Sequence, residues 1–208
     1  MIGSIQVFSV IPTSYFQERD ALTIAREMLG AKLCTFTKGV YSSGIITETE
    51  AYCAPEDKAS HAFNNKKTKR TEVMYKEGGR SYVYLCYGIH HLFNIVCGPE
   101  GLPHAVLIRA VKAEGGIEEM LKRRNLSVRS KRLSAGPGIL SEALGINRES
   151  NDLELTVENR IWLEWTDSKP PESQIVSAPR IGIDYAGEWA AKPWRFYMRE
   201  SEWVSKKI

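Results

Sequence analysis

Residues whose types and spacing could do chemistry are concentrated between positions 45 and 63, in the stretch IITETEAYCAPEDKASHAF. Its first half predicts a β-strand, along which side chains alternate, so Glu48, Glu50 and Tyr52 share one face. His61 follows after a short loop. Carboxylates, a phenol and an imidazole are the groups that general acid–base catalysis uses. A solvated strand face is the alternative for the same residues, because glutamate is usually exposed.

A second stretch of similar character, RSYVYLCYGIHHLFNIVC, covers positions 80 to 97. Two β-rich runs flank the turn Tyr87-Gly88-Ile89-His90, which predicts a hairpin with Tyr82 and Tyr84 on one face of its first strand. A hairpin tip is normally polar, whereas this one carries Tyr87 and Ile89. The sequence therefore predicts an exposed apolar tip that contacts a partner. A tip folded back onto the core is the alternative.

Arg109 lies on another predicted strand, residues 105–111, whose other members are mostly apolar. An unpaired buried charge is costly, so we expect this arginine to have a partner. The four histidines, at positions 61, 90, 91 and 104, have no spacing typical of metal ligands, and no Gly-rich phosphate loop is present. The sequence therefore predicts neither a metal site nor a cofactor.

Length and composition restrict the class of protein. A chain of 208 residues with 43% hydrophobic residues can bury its own core, and we expect one domain, residues 1–208. The sequence shows no run of eighteen apolar residues and no signal peptide, so we expect a protein that is neither membrane-spanning nor secreted. The four cysteines, at positions 34, 53, 86 and 97, form no CxxC pair and predict reduced core thiols.

The distribution of charge is more informative than the net charge of +3. Lysine and arginine cluster directly after His61, at positions 66, 67, 69 and 70, and again between positions 122 and 132. The acidic residues concentrate elsewhere, notably between positions 149 and 172. This asymmetry predicts a surface that meets a polyanion on one side. Two solvated basic loops are the alternative.

Hydrophobic periodicity and turn signals predict the remaining elements. Helices are predicted over residues 16–30, 116–124 and 139–144, and further strands over residues 31–37, 161–165 and 194–198. No internal repeat or clear linker is present. The pattern favours one compact α+β domain.

Aromatic faces beside a carboxylate, with basic flanks, suit an enzyme that holds a nucleobase and activates water. Tyr87 could fill the gap left by an extruded base.

Two other classes of protein are left open by the sequence. One is a nucleic-acid-binding module without catalysis, although such a module gains nothing from a carboxylate such as Glu50 near phosphates. Another is a carbohydrate hydrolase in which Glu48 and Glu50, with backbones roughly 6.5–7 Å apart, form an inverting pair. Basic clusters argue against it, because neutral sugars need none.

Six collinear blocks resemble a known family. They are ETEAY, PEDKASH, YVYLCYG, the strand around Asn94, LIRA, and RIGIDYAGEWAAKPWRFY. In this order they resemble the alkyladenine, or 3-methyladenine, DNA glycosylases of the methylpurine type, from about Leu22 to Val204. The resemblance implies a domain with a curved, mixed but mainly antiparallel sheet, flanking helices and a protruding hairpin.

The resemblance also implies roles for single residues. Glu50 resembles the general base that activates the hydrolytic water, and Arg109 the group that holds that water and orients Glu50. Tyr87 resembles the residue inserted into DNA where the base was. The implied base pocket comprises Tyr52, His61, Tyr84, Asn94 and Ile181. In it, Asn94 would exclude the 2-amino group of guanine, and a backbone carbonyl near Ile181 would reach the water. Glu48 is left as a solvated or supporting residue.

The implied reaction is base-excision repair of duplex DNA. The enzyme would flip alkylated or deaminated purines (3-methyladenine, 7-methylguanine, hypoxanthine, ethenoadenine) out of the helix and hydrolyse the N-glycosidic bond, leaving an abasic site. It would use no metal, cofactor or lysine Schiff base, and so have no lyase activity. We expect a monomer, located in the cytoplasm (the bacterial nucleoid) or in the nucleus.

Overall fold

A computed structural model describes residues 9–208. The predicted absence of a signal peptide concerns the N-terminus, of which residues 1–8 lie outside the described residues. Eight strands form the sheet: β1 (Lys32–Thr37), β2 (Val40–Cys53), β3 (Ser81–Cys86), β4 (His90–Cys97), β5 (His104–Gly115), β6 (Ile161–Glu164), β7 (Ile175–Ala178) and β8 (Arg195–Met198). The helices are α1 (Thr13–Gln17), α2 (Ala21–Glu27), α3 (Ile117–Arg123) and α4 (Pro137–Leu144), and short 3-10 helices occupy several loops.

The sheet has the order β3-β4-β5-β2-β1-β6, and β8 pairs with both β2 and β7. Every ladder between these strands is antiparallel, which confirms the predicted α+β class and the mainly antiparallel sheet. Helix α2 packs against β2 and β5, and α4 packs against β4 and β5. The main hydrophobic core therefore lies between the central strands and these helices.

The predicted helix over residues 16–30 is wrong in its extent, because the chain forms two shorter helices there. Asp20 caps the second one, and its carboxylate accepts hydrogen bonds from the backbone N–H groups of Leu22 and Thr23. Such a cap begins a new helix rather than continuing one. The helices predicted over 116–124 and 139–144 are confirmed as α3 and α4, with Gly145 in the left-handed region closing α4.

Strand β2 is longer than predicted. Ser42-Ser43-Gly44 has a composition typical of turns, yet it lies inside the strand and pairs with β1. A Cβ atom at Gly44 would lie 2.7 Å from the Cγ2 atom of Val111 on β5, so only glycine permits this close pairing. The turn before β2 lies instead at Lys38-Gly39, where both residues have positive φ.

Two compensating bulges shape the middle of the β2–β5 ladder. Ile46 pairs with Val111 and Glu48 pairs with Ala110, so Thr47 is an extra residue on β2. The next pair is Thr49 with Ile108, so Arg109 is an extra residue on β5. A bulge re-aims the side chains that follow it. Here it puts Ile46 and Ala51 in the same core cluster, although strict alternation would separate them.

The described cysteines are free thiols, with Cys34 and Cys97 buried and Cys53 and Cys86 partly buried. Within residues 9–208, no helix is long and apolar enough to cross a membrane. The same residues contain no group of three or more histidine, cysteine, aspartate or glutamate side chains that could hold a metal ion.

Candidate active site

A cavity of about 610 Å³ lies between β2, the β3–β4 hairpin and the loop around residue 181. Seven of the predicted site residues line it: Tyr52, His61, Tyr84, Tyr87, Asn94, Arg109 and Ile181. These residues come from segments up to 129 positions apart, counted from 52 to 181. Glu50, the remaining predicted residue, does not line the cavity and lies behind its wall.

Glu50 is a fully buried carboxylate held by three donors. Its Oε1 atom accepts a hydrogen bond from the backbone N–H of Ile181 at 2.8 Å and lies 3.1 Å from the guanidinium of Arg109. Its Oε2 atom accepts a hydrogen bond from the Tyr52 hydroxyl at 2.8 Å. A carboxylate offers about four lone-pair sites, so one site on Oε2 remains for a further donor such as water.

Arg109 joins the two glutamates of β2. Its Nε atom donates to Glu48 Oε1 at 3.0 Å, and its other end faces Glu50. Burial disfavours the charged guanidinium, but the carboxylates of Glu50 and Glu48 outweigh burial and raise the pKa of Arg109 above its ordinary value. The expectation that this buried arginine has a partner is confirmed.

Glu48 is not solvated, so the prediction of an exposed glutamate is wrong. The side chain is fully buried, and its Oε1 atom accepts hydrogen bonds from Arg109, from Arg195 at 3.0 Å and from the Ser205 hydroxyl at 2.8 Å. Its Oε2 atom accepts from the backbone N–H of Ser205 at 2.6 Å. The other half of the prediction, structural support, describes this arrangement.

The side chain of Tyr52 is held by Glu50 at its hydroxyl and by Arg180 at its ring. Burial and then the charge of Glu50 raise the pKa of its hydroxyl, which therefore stays protonated and donates to Glu50. The guanidinium of Arg180 lies 4.7 Å from the centre of the Tyr52 ring and pairs with both oxygens of Asp57. A bidentate pair of this kind holds its members in one geometry.

His61 forms an aromatic corner with two tyrosines. Its ring lies 4.6 Å from that of Tyr84, edge to face, and its Nδ1 atom is 2.7 Å from the Tyr82 hydroxyl. Burial, and then the charges of Arg70 and Lys66, lower the pKa of His61 to about 4. The imidazole is therefore neutral at pH 7.

Asn94 is a buried wall residue of the cavity. It faces Tyr82 across the hairpin, and its Nδ2 group donates to the Tyr82 carbonyl at 3.0 Å. The side chain of Asn94 is thus both hydrogen-bonded to a strand neighbour and part of the cavity wall. At Ile181, the contact that the structure shows is the backbone N–H to Glu50, and a role for a nearby carbonyl stays a prediction.

The predicted hairpin is confirmed, and its tip projects into solvent. Tyr87 is 90% exposed and Ile89 71% exposed, which rules out a tip folded back onto the core. Tyr87 and Gly88 have φ of 51° and 74°, and the Ile89 N–H donates to the Cys86 carbonyl, as in a type I′ turn. Positive φ is unfavourable for a tyrosine, and such strain is found mostly at functional positions.

The two basic clusters differ in how many of their side chains form bonds within the fold. In the second cluster, Arg123 bonds to Ser42 and to the Ala143 carbonyl, Arg124 pairs with Glu142, and Arg129 donates to the Ala113 carbonyl. Three of its arginines are therefore used within the fold. In the first cluster all four basic residues are exposed.

Several residues of the site were missed by sequence reasoning. Asp57 and Arg180 hold Tyr52 and the loop before Ile181, and Ser205 and Arg195 hold Glu48. Charge burial cannot be read from local patterns, because these partners are far apart in the chain. The sequence indicates Arg70 only as a member of a basic cluster, whereas in the structure its guanidinium lies 4.7 Å from the centre of the Tyr84 ring.

An aromatic cavity accepts a flat ring, and the carboxylate behind its wall can take a proton from water. Together with the projecting apolar hairpin, these features suit an enzyme that binds a flat ring against aromatic side chains and activates water. The chain belongs to the methylpurine-DNA glycosylase family, whose model matches residues 15–202.

Curated relatives match almost the whole chain. A protein of Chlamydia felis is 45% identical over 200 residues, which cover 96% of this chain and 100% of the relative. A protein of Natranaerobius thermophilus is 44% identical over 192 residues, 91% of this chain and 96% of the relative. A Bacillus cytotoxicus protein is 41% identical over 203 residues, 92% of this chain and 97% of the relative. Each is named "Putative 3-methyladenine DNA glycosylase". The resemblance predicted from the six blocks is confirmed, and the chain is similar to DNA repair glycosylases.

Proposed function

We propose that this protein is a monofunctional DNA glycosylase that removes alkylated or deaminated purines from duplex DNA by hydrolysis and leaves an abasic site. The observation that carries the proposal is the position of Glu50, whose carboxylate contacts Tyr52, Arg109 and Ile181 of the cavity wall and keeps one lone-pair site for water. The proposed substrates are 3-methyladenine, 7-methylguanine, hypoxanthine and ethenoadenine.

In the proposed reaction, the extruded base stacks among Tyr52, His61 and Tyr84. Each stacked base gains on the order of 1–3 kcal/mol from aromatic contact. As the glycosidic bond breaks, the sugar becomes oxocarbenium-like, and a nearby carboxylate stabilises that charge. Glu50 takes the proton of the attacking water, while Arg109 holds the carboxylate in place.

Two wall positions would shape substrate choice and DNA distortion. Asn94 is held by the Tyr82 carbonyl, so it would act as a fixed obstacle to the 2-amino group of guanine. Tyr87 would enter the duplex and fill the space that the base leaves. A monomeric state and a location in the cytoplasm or nucleus stay predictions.

The carbohydrate-hydrolase alternative is not supported, because Glu48 is used entirely within the fold. Arg195 and Ser205, which do not line the cavity, supply three of the four hydrogen bonds to its carboxylate, and Arg109 supplies the fourth. It is therefore unavailable as the second member of an inverting pair, which needs a carboxylate free to activate water.

The test is an excision assay on four duplexes, each carrying one of the proposed lesions, with strand cleavage measured before and after alkali. We expect released base and alkali-dependent cleavage only. Cleavage without alkali would contradict the absence of lyase activity. Lesion binding with no released base from any duplex would support the non-catalytic binding module instead.

A further inference from the structure

A cation of the protein itself lies in the aromatic cavity. Arg70 extends from an exposed loop, and its guanidinium carbon lies 4.7 Å from the centre of the Tyr84 ring. One of its N–H groups donates to Nε2 of His61 at 3.1 Å. Arg70 thus uses an aromatic surface that the proposed function assigns to the base.

The contact with Arg70 also fixes the state of His61. A guanidinium can only donate, so Nε2 of the imidazole is an acceptor and Nδ1 carries the proton toward the Tyr82 hydroxyl. The imidazole is therefore neutral and adds no charge to the cavity. The charge that Arg70 brings is not balanced by this neighbour.

The two arginines that line the cavity differ in their charge balance. Arg109 faces the carboxylates of Glu48 and Glu50, which compensate it. Arg70 forms no ion pair with any carboxylate among residues 9–208. Arg70 therefore presents an uncompensated positive charge, and further N–H donors, to whatever enters.

We propose that Arg70 is a specificity-determining residue that biases the cavity toward neutral purines with an exocyclic oxygen, such as hypoxanthine, and against positively charged ones, such as 7-methylguanine. This inference rests on the proposed function, because it assumes that the cavity receives an extruded base. A base stacked on Tyr84 would lie within about 4.5–7 Å of that ring, close to the guanidinium. A neutral oxo-purine would accept a hydrogen bond there, whereas a cationic base would be repelled.

The test compares single-turnover excision of hypoxanthine and 7-methylguanine from duplexes that are otherwise identical. The proteins are the parent, Arg70→Gln, Arg70→Lys, and Lys69→Ala as a matched control in the same exposed loop. We expect Arg70→Gln to raise the rate ratio of 7-methylguanine to hypoxanthine about tenfold or more, from loss of repulsion at about 5 Å. Arg70→Lys should keep most of the parent ratio, and Lys69→Ala should slow both bases equally.

A second measurement tests whether the Arg70 side chain lies beside His61 without measuring excision. In the DNA-free protein, NMR titration of His61 should show a higher imidazole pKa in Arg70→Gln than in the parent, and no comparable rise in Lys69→Ala. An unchanged His61 pKa would show that Arg70 does not occupy the cavity, and would overturn the proposal.

An equal loss of excision rate for both bases in Arg70→Gln would also overturn the proposal, because losing a contact to DNA phosphate would slow both reactions equally. If the parent protein releases neither base, the proposed function itself fails, and the specificity proposal falls with it. A parent that releases both bases with an unchanged ratio in Arg70→Gln sinks the Arg70 proposal alone.

Discussion

At the scale of single residues, Glu48 and Glu50 stand two positions apart on one strand and have opposite surroundings. Glu50 is bonded only to residues that line the cavity, whereas Glu48 is bonded mainly to Arg195 and Ser205, which do not line it. The sequence pattern is the same for both, ETE. Their difference comes from partners up to 157 residues away, which only the folded chain brings together.

The burial of Glu48 leads to a prediction about stability. Glu48→Gln should lower the free energy of unfolding by about 3–5 kcal/mol, because it leaves two buried guanidinium groups without their shared carboxylate. Urea unfolding of the variant and the parent measures this. The control is Glu158→Gln, an exposed glutamate, which should change stability by less than about 0.5 kcal/mol. Equal stabilities for the two variants would show that Glu48 does not support the fold.

At the scale of elements, the two bulges and the hairpin turn create the site. The bulge at Thr47 lets Ile46 and Ala51 share the core while Glu50 contacts residues that line the cavity. The bulge at Arg109 aims the guanidinium at both carboxylates. Neither bulge has a glycine or another local signal, so the alternation of residue types could not predict them.

The β3–β4 hairpin gives a prediction about base extrusion. Tyr87→Ala should slow flipping of a well-paired lesion about tenfold, because nothing then fills the vacated stack. The loss should be smaller for the same lesion in a mismatch, where extrusion costs less. Flipping is measured with a fluorescent base next to the lesion, and Tyr87→Phe, which keeps the ring, serves as control. The same loss on both duplexes would indicate an ordinary backbone contact.

At the scale of the whole molecule, the sequence predicts the elements well and the polar interior poorly. Strands, the hairpin with its exposed tip, α3 and α4 follow from local hydrophobic patterns and turn residues. Strand β7 and the break between α1 and α2 were missed, because each is short and depends on neighbours or on one capping residue. Residue types and spacing single out most of the candidate site residues, and the resemblance adds Asn94, Ile181 and the role of each residue. The ion pairs that hold them, such as Asp57 with Arg180, needed the structure.

The distribution of free charge gives a prediction about DNA binding. Lys69 is exposed, so if the first basic cluster meets phosphates, Lys69→Ala should reduce the slope of log affinity against log salt concentration by about 0.9. Arg124 pairs with Glu142 within the fold, so Arg124→Ala should leave the slope unchanged. Binding titrations at several salt concentrations measure both. If Lys69→Ala leaves the slope unchanged and Arg124→Ala reduces it, the DNA-binding surface lies at the second cluster instead.

The central claim is that Glu50 activates the water that releases the base, and Glu50→Gln tests it most directly. Glutamine keeps the shape of the side chain but cannot take the proton of the water. With one lesion-bearing duplex, affinity should stay within a few-fold of the parent, while single-turnover excision should fall by at least about a hundredfold. Excision near the parent rate, with the variant folded and bound, would contradict the account.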